Sequence, residues 1–254
     1  MFKKILTLVL ALTLSISIFT FAGCGKDGGD DEPTAITLEN GLTIENGVVT
    51  AYAPTADSDV VLEIPEKVGD MYITEIAGEV FRNCKAIKRL KMPKTISKVG
   101  KLAFNGCSNL EIVECQSVAS WCGITFNDVY SNPMTQSKTK QLYVNGVALT
   151  ELVIPETVYS IGQYAFYTLS GLTRVVVGSN VAFIGKSALF VANGMALDEF
   201  KFMNTKGWVN AGTGGTISSS FKPVHKGQSN ASHAYTYAWP AYTTWGLNAD
   251  WKRV

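Results

Sequence analysis

Five cysteines and two histidines bound the chemistry open to this 254-residue chain. Cysteine is the more versatile of the two, as nucleophile, metal ligand or disulfide partner. Cys84 and Cys107 are 23 residues apart, Cys115 and Cys122 are seven apart, and no Cys-x-x-Cys pair occurs. Zinc sites favour such close pairs, with further cysteines or histidines completing the shell. His225 and His233 both lie late in the chain, and no Gly-x-Ser-x-Gly nucleophile motif is present. Gly212-Thr213-Gly214-Gly215 lacks the lysine that follows in a phosphate loop and reads as a linker. The carboxylates Glu63, Glu75, Glu79, Glu111, Glu114, Glu151 and Glu156 recur along the chain, which solvent exposure explains better than an acid–base pair. No catalytic residue, metal site or cofactor is expected.

The charge balance argues in the same direction. Lys and Arg number 22 against 21 Asp and Glu, a net +1. Nothing there attracts a polyanion, so nucleic acid is not an expected partner. With 46% hydrophobic residues the chain is too apolar to be disordered, and its length allows one or two domains.

Residues 1–23 read as an address. Lys3 and Lys4 precede an apolar stretch from Ile5 to Phe21, followed by Ala22-Gly23-Cys24. This resembles the signal peptide and lipobox of bacterial lipoproteins, with Phe21 standing where an aliphatic residue is usual. The resemblance implies cleavage before Cys24 and lipidation of its sulfur. This seventeen-residue stretch, interrupted only by Thr and Ser, lies at the bottom of the range needed to span a bilayer, and the Gly-rich run after it suits processing better than an anchor. Loss of Lys3 and Lys4 turns +1 into −1. Residues 24–34 carry no large apolar side chain and read as a flexible tether. Their acidic run resembles a surface-export signal of Bacteroidetes lipoproteins. The expected location is the bacterial cell envelope, lipid-anchored, on the outer surface.

Behind the tether lies an internal repeat. The stretch from Ile76 to Cys84 matches that from Val99 to Cys107 at an offset of 23, and Ile161-Gly162 matches Ile184-Gly185 at the same offset. Each unit opens on a short apolar segment closed by Pro or Gly: Leu62 to Pro65, Leu90 to Pro93, Leu152 to Pro155, Val175 to Gly178. Apolar residues two apart bury one face of a strand, and proline ends its pairing. An Ala-Phe pair and a closing Leu or Ile complete an apolar wedge that one unit cannot bury alone. The pattern resembles the BspA-like leucine-rich repeats of bacterial surface proteins over residues 60–203. That implies a β-rich solenoid of about five units, each of about 23 residues, stacked on a parallel sheet. Phe81, Phe104 and Phe166 are expected inside.

The ends and one interruption are also legible. Residues 35–59 read as an N-terminal hairpin cap, with strands Ile36–Leu38, Leu42–Ile44 and Val48–Tyr52 divided by Asn40-Gly41 and Asn46-Gly47. Residues 116–148 read as an inserted island, with Trp121, an Asn132-Pro133 turn and a hairpin through Asn145-Gly146. Residues 204–254 read as a C-terminal aromatic cap. Within it Trp239, Tyr242 and Trp245 are candidates for a platform that stacks on a sugar or a peptide. Cys84 and Cys107 hold the same repeat position and should lie on adjacent rungs. They are expected as buried free thiols, because parallel side chains make poor disulfide geometry even where backbones are in reach.

Outward strand positions form two rows. One reads Glu63, Lys91, Glu114, Val153, Val176, Lys201; the other reads Val61, Arg89, Ile112, Glu151, Arg174, Glu199. Alternating signs predict neighbours that neutralise one another. Arg89, Lys91, Arg174, Val153 and Val176 are the candidate ligand face. The resemblance implies an adhesin-like role, since BspA-like proteins are associated with host matrix proteins such as fibronectin and fibrinogen and with cell–cell aggregation. The expected partner is a host or bacterial surface protein or glycan, with the membrane held through the N-terminal lipid. The alternative is a structural or accessory envelope lipoprotein that assembles with another envelope component.

Overall fold

The structure is a computed structural model, and it describes residues 35–189, 199–204, 208–210, 224–225 and 251–253. The chain coils into about six turns, one more than the repeat pattern suggested, with longer strands in one column and shorter strands in the other. The longer strands open each turn: Val60–Glu63, Ile87–Met92, Ile112–Cys115, Glu151–Val153, Arg174–Val177 and Glu199–Phe202. Shorter strands follow, at Glu75–Ile76, Lys98–Val99, Thr125–Phe126, Ser160–Ile161 and Phe183–Ile184. Repeat strands pair in parallel, and the register joins Leu62, Leu90, Val113 and Leu142 across one row and Leu152, Val175 and Phe200 across another.

The strands form because each contributes buried residues at alternate positions. Leu62, Leu90, Val113, Leu152 and Val175 are all 0% exposed. Phe81, Phe104 and Phe166 point inward, as their position in the wedge requires, and the Phe81 and Phe104 rings stack with centroids 4.9 Å apart. Turns pack so closely that a Cβ on Gly100 would lie 2.3 Å from the Gly78 nitrogen. Glycine there is a requirement of spacing between turns.

The N-terminal hairpin closes one end. Leu42–Glu45 pairs antiparallel with Val48–Tyr52, and Asn46 and Gly47 turn with φ of 50° and 77°. Val48 and Val49 then pair in parallel with Glu75 and Ile76, which covers the first short strand. At the other end, Val224–His225 pairs antiparallel with Glu199–Phe200, and Trp251–Arg253 pairs antiparallel with Phe183–Ile184. Trp239, Tyr242, Trp245 and Cys24 lie outside the described residues.

Both columns break once, so the coil is built of two blocks. The long-strand column divides between Val147–Ala148 and Glu151–Val153, and the short-strand column between Thr125–Phe126 and Ser160–Ile161. Residues 116–148 do more than interrupt. They supply Thr125–Phe126 to the short column and Leu142–Val144 to the long one, and the latter turns back through Asn145-Gly146 to Val147–Ala148.

The joint is made by side chains reaching backbone. Ser117 caps a one-turn helix, Val118–Cys122, by accepting from the Ser120 amide at 3.0 Å. That helix carries Trp121, fully buried, whose indole Nε1 donates to the Ala165 carbonyl at 2.6 Å. Asn132 caps the turn Pro133–Thr135 and donates from Nδ2 to the Tyr164 carbonyl at 2.7 Å. The Gly162 amide donates to the Cys122 carbonyl at 2.8 Å, and a Cβ on Gly162 would fall 2.0 Å from the Ile124 oxygen. These contacts stack the second block on the first without a shared sheet.

Candidate functional site

Within each block the outward rows stand in the register expected from the repeat, but the rows do not run on between blocks: Glu114 has Tyr143 as its next neighbour, and Val153 begins a separate sheet. Glu63, Lys91 and Glu114 are direct neighbours, as are Glu151 and Arg174, and Val153 and Val176. Lys91 Nζ lies 3.3 Å from Glu63, Arg174 3.3 Å from Glu151, and Arg89 reaches Glu114 at 3.1 Å. At the strand starts Lys88 meets Asp59 at 2.9 Å, and Lys138 meets Glu111 at 3.2 Å. Exposed pairs of this kind each contribute about 0–1 kcal/mol. The Arg89–Glu114 pair is the most covered, with side chains 32% and 16% exposed.

Three of the candidate ligand residues, Arg89, Lys91 and Arg174, are therefore held by carboxylates of the chain itself. Val153 is outward and 43% exposed, on an edge strand. Val176 corrects the expectation of an accessible row: it is only 5% exposed. It is flanked on both sides, by Val153 and Lys201.

A groove of about 210 Å³ crosses the ends of three strands in the first block. Glu63, Lys91 and Glu114 line one side; Glu66, Gln116 and Asn145 add polar groups beyond the prolines Pro65 and Pro93. It exists because each proline stops the strand pairing and leaves a ledge. Gln116 Nε2 donates to Glu66 at 2.7 Å, and this bond, with Lys94 at 3.5 Å, holds the Glu66 carboxyl below its usual range. The sequence reading did not single out Glu66, Gln116 or Asn145. The signal for the first was the residue after each strand-ending proline, which is Glu66, Lys94 and Glu156 in successive occurrences. Glu156 accepts from Ser179 Oγ at 2.6 Å and from the Ser179 amide at 3.0 Å, and these bonds likewise hold its carboxyl low.

The chemistry of this face is recognition by charge, amide and apolar groups. The displaced carboxyls, Asp59, Glu66 and Glu156, are all displaced downward, the opposite of what a proton-donating acid needs at neutral pH. Among the described residues no group of three His, Cys, Asp or Glu side chains is placed to hold a metal ion. No helix among them is long and apolar enough to cross a membrane.

A profile described as "BspA type Leucine rich repeat region" matches in six copies, over residues 62–138 and 137–205. The second block of matches begins inside the segment read as an island. Similar solved structures include a leucine-rich repeat protein from T. pallidum, 16% identical over 63% of this chain and 82% of that one, with a TM-score of 0.29. A leucine-rich repeat protein from Bacteroides capillosus is 16% identical over 68% of this chain and 94% of its own, with a TM-score of 0.29. A leucine rich cell surface protein from Faecalibacterium prausnitzii is 18% identical over 73% of this chain and 56% of its own, with a TM-score of 0.32. No curated protein matches. Proteins of such repeats are typically not enzymes. The profile covers more than half of the chain, and the protein belongs to the BspA-type leucine-rich repeat family.

Proposed function

We propose that this chain is a non-catalytic surface-binding protein, adhesin-like, that presents the outward rows of its long strands to a ligand. The observation that carries the reading is the groove over three turns, lined by Glu63, Lys91, Glu114, Glu66, Gln116 and Asn145. A protein is the favoured ligand class over a glycan. The face mixes paired charges with exposed valines, Val61 at 58% and Val153 at 43%. Such a mixed surface suits the polar rim and apolar spots of a protein interface. Lipidation at Cys24 would hold the chain at the cell envelope, with the repeats displayed beyond residues 24–34.

The test is a titration of the chain against immobilised host matrix proteins and bacterial surface proteins, with a glycan array in parallel. Saturable binding that weakens in Lys91→Glu and Val153→Asp supports the reading, because both changes leave the buried rows intact. Absence of any saturable ligand overturns it. Recovery of a stoichiometric envelope component by native pull-down would then identify a structural or accessory lipoprotein instead.

A further inference from the structure

We propose that Cys84 and Cys107 form a dithiol that an oxidising partner closes into a disulfide, clamping the first turn of the coil to the second. The expectation of parallel, non-bonding thiols came from their equivalent repeat positions. Both are free thiols in the structure, and Cys107 is the more buried of the two. Its sulfur turns back onto the preceding turn and donates to the Phe81 carbonyl at 3.0 Å. The Cys84 amide donates to that same carbonyl, also at 3.0 Å. The Cys107 sulfur thus lies no more than two hydrogen-bond lengths from the Cys84 backbone. The turns beneath it are in tight register: the Asn83 amide donates to the Asn105 carbonyl at 2.7 Å, and the Phe81 and Phe104 rings stack. Neighbouring strand rungs are spaced by about 4.8 Å, inside the Cα separation that a disulfide spans.

The two thiols have different roles in the reaction. Cys84 is half-buried, whereas Cys107, Cys115 and Cys122 are buried, so Cys84 is the sulfur an oxidant reaches first. Cys84 reacts in its thiolate form, as thiol–disulfide exchange requires. The thiolate attacks a disulfide of the class R–S–S–R, forming a mixed disulfide and releasing one R–S⁻. Cys107 then attacks the Cys84 sulfur, its proton passing to the second departing R–S⁻. The balance is two protein thiols and one R–S–S–R giving one protein disulfide and two R–SH. The Phe81 carbonyl loses the Cys107 donor but keeps the Cys84 amide. Such closure belongs to an oxidising compartment.

The experiment equilibrates the full chain in buffers of oxidised and reduced glutathione and maps cysteine-containing peptides by mass spectrometry, which separates Cys24 from the repeat thiols. The expected result is a Cys84–Cys107 cross-linked peptide, with a rise of several degrees in Tm that a reductant reverses. Cys84→Ser, at the more exposed position, should retain the reduced-state Tm and lose the rise. Cys107→Ser should leave a glutathione adduct on Cys84. The proposal is overturned if wild-type Cys84 is glutathionylated while Cys107 stays free. It is equally overturned if both thiols stay reduced, or if Cys84 bridges to another cysteine.

Discussion

The two blocks of the coil share one interior and differ on the outside. In the first, Arg89, Lys91 and Lys88 are each tied to a carboxylate of a neighbouring turn, and a groove opens across the strand ends. In the second, Val153 and Val176 take the places of Lys91 and Glu114 in the equivalent row. Inside, the columns are interchangeable: Phe104 and Phe166 are both 1% exposed, and Leu90 and Val175 are both 0% exposed. Stacking constrains what faces inward and leaves the outward rows free to diverge, which is where recognition can differ between members built on one repeat.

The sharpest way to break the comparison is to separate the blocks. Trp121→Ala removes a buried indole and a 2.6 Å bond across the joint, and should cost about 3–5 kcal/mol. Chemical denaturation should then show two transitions where the parent shows one. A single unchanged transition would mean that the joint does not couple the blocks. Trp121→Phe, which loses chiefly the hydrogen bond, should cost nearer 1 kcal/mol.

Alkaline pH should act on one block alone. Every cysteine of the repeats lies in the first. Burial pushes the Cys107 and Cys115 thiols up from 9.0 to about 12, and pushes Cys122 up as well. A thiol whose folded pKa is raised stabilises the fold fully below the unfolded value. That stability is lost as pH climbs from 9 towards 12. Hydrogen exchange across that range should show protection falling in residues 60–126 before residues 151–185. Equal loss in both would refute the assignment.

Gly162→Ala tests the joint from the other side. Its Cβ would meet the Ile124 oxygen at 2.0 Å, so the blocks must shift apart, at about 1–3 kcal/mol. The surface changes should be smallest. Glu114→Gln, which breaks the pair with Arg89, should cost under about 1 kcal/mol by thermal melting. Mild acid should act weakly too. Asp59, Glu66 and Glu156 have folded values below their ordinary 3.8 and 4.5, so their contribution is present above those values and fades as pH falls below them. A melt series from pH 5 to pH 3 should show a small decline that salt reduces.

The interior was legible because it repeats. The 23-residue offset, the strand-ending prolines and the inward phenylalanines each recur, and the register of the outward rows within each block followed from aligning them. Legibility failed where a position has no counterpart in other turns. Trp121 and Asn132 read as parts of an island, yet they bond the carbonyls of Ala165 and Tyr164. A carbonyl is the same in every residue, so no side-chain pattern points to it. Val176 was placed in the right row and given the wrong exposure, since the strand pleat sets direction while accessibility depends on what the rest of the fold lays over the position.

The amino-acid order alone settled the coil, its period and which side of each strand is buried. Those follow from local rules: alternation, proline's missing donor and an apolar wedge too large for one unit. Only the tertiary structure decided the division into two blocks, the groove beyond Pro65 and Pro93, and the turn of Cys107 towards Phe81. Each of these depends on side chains meeting the backbone of a different turn, a contact set by how the turns stack in space.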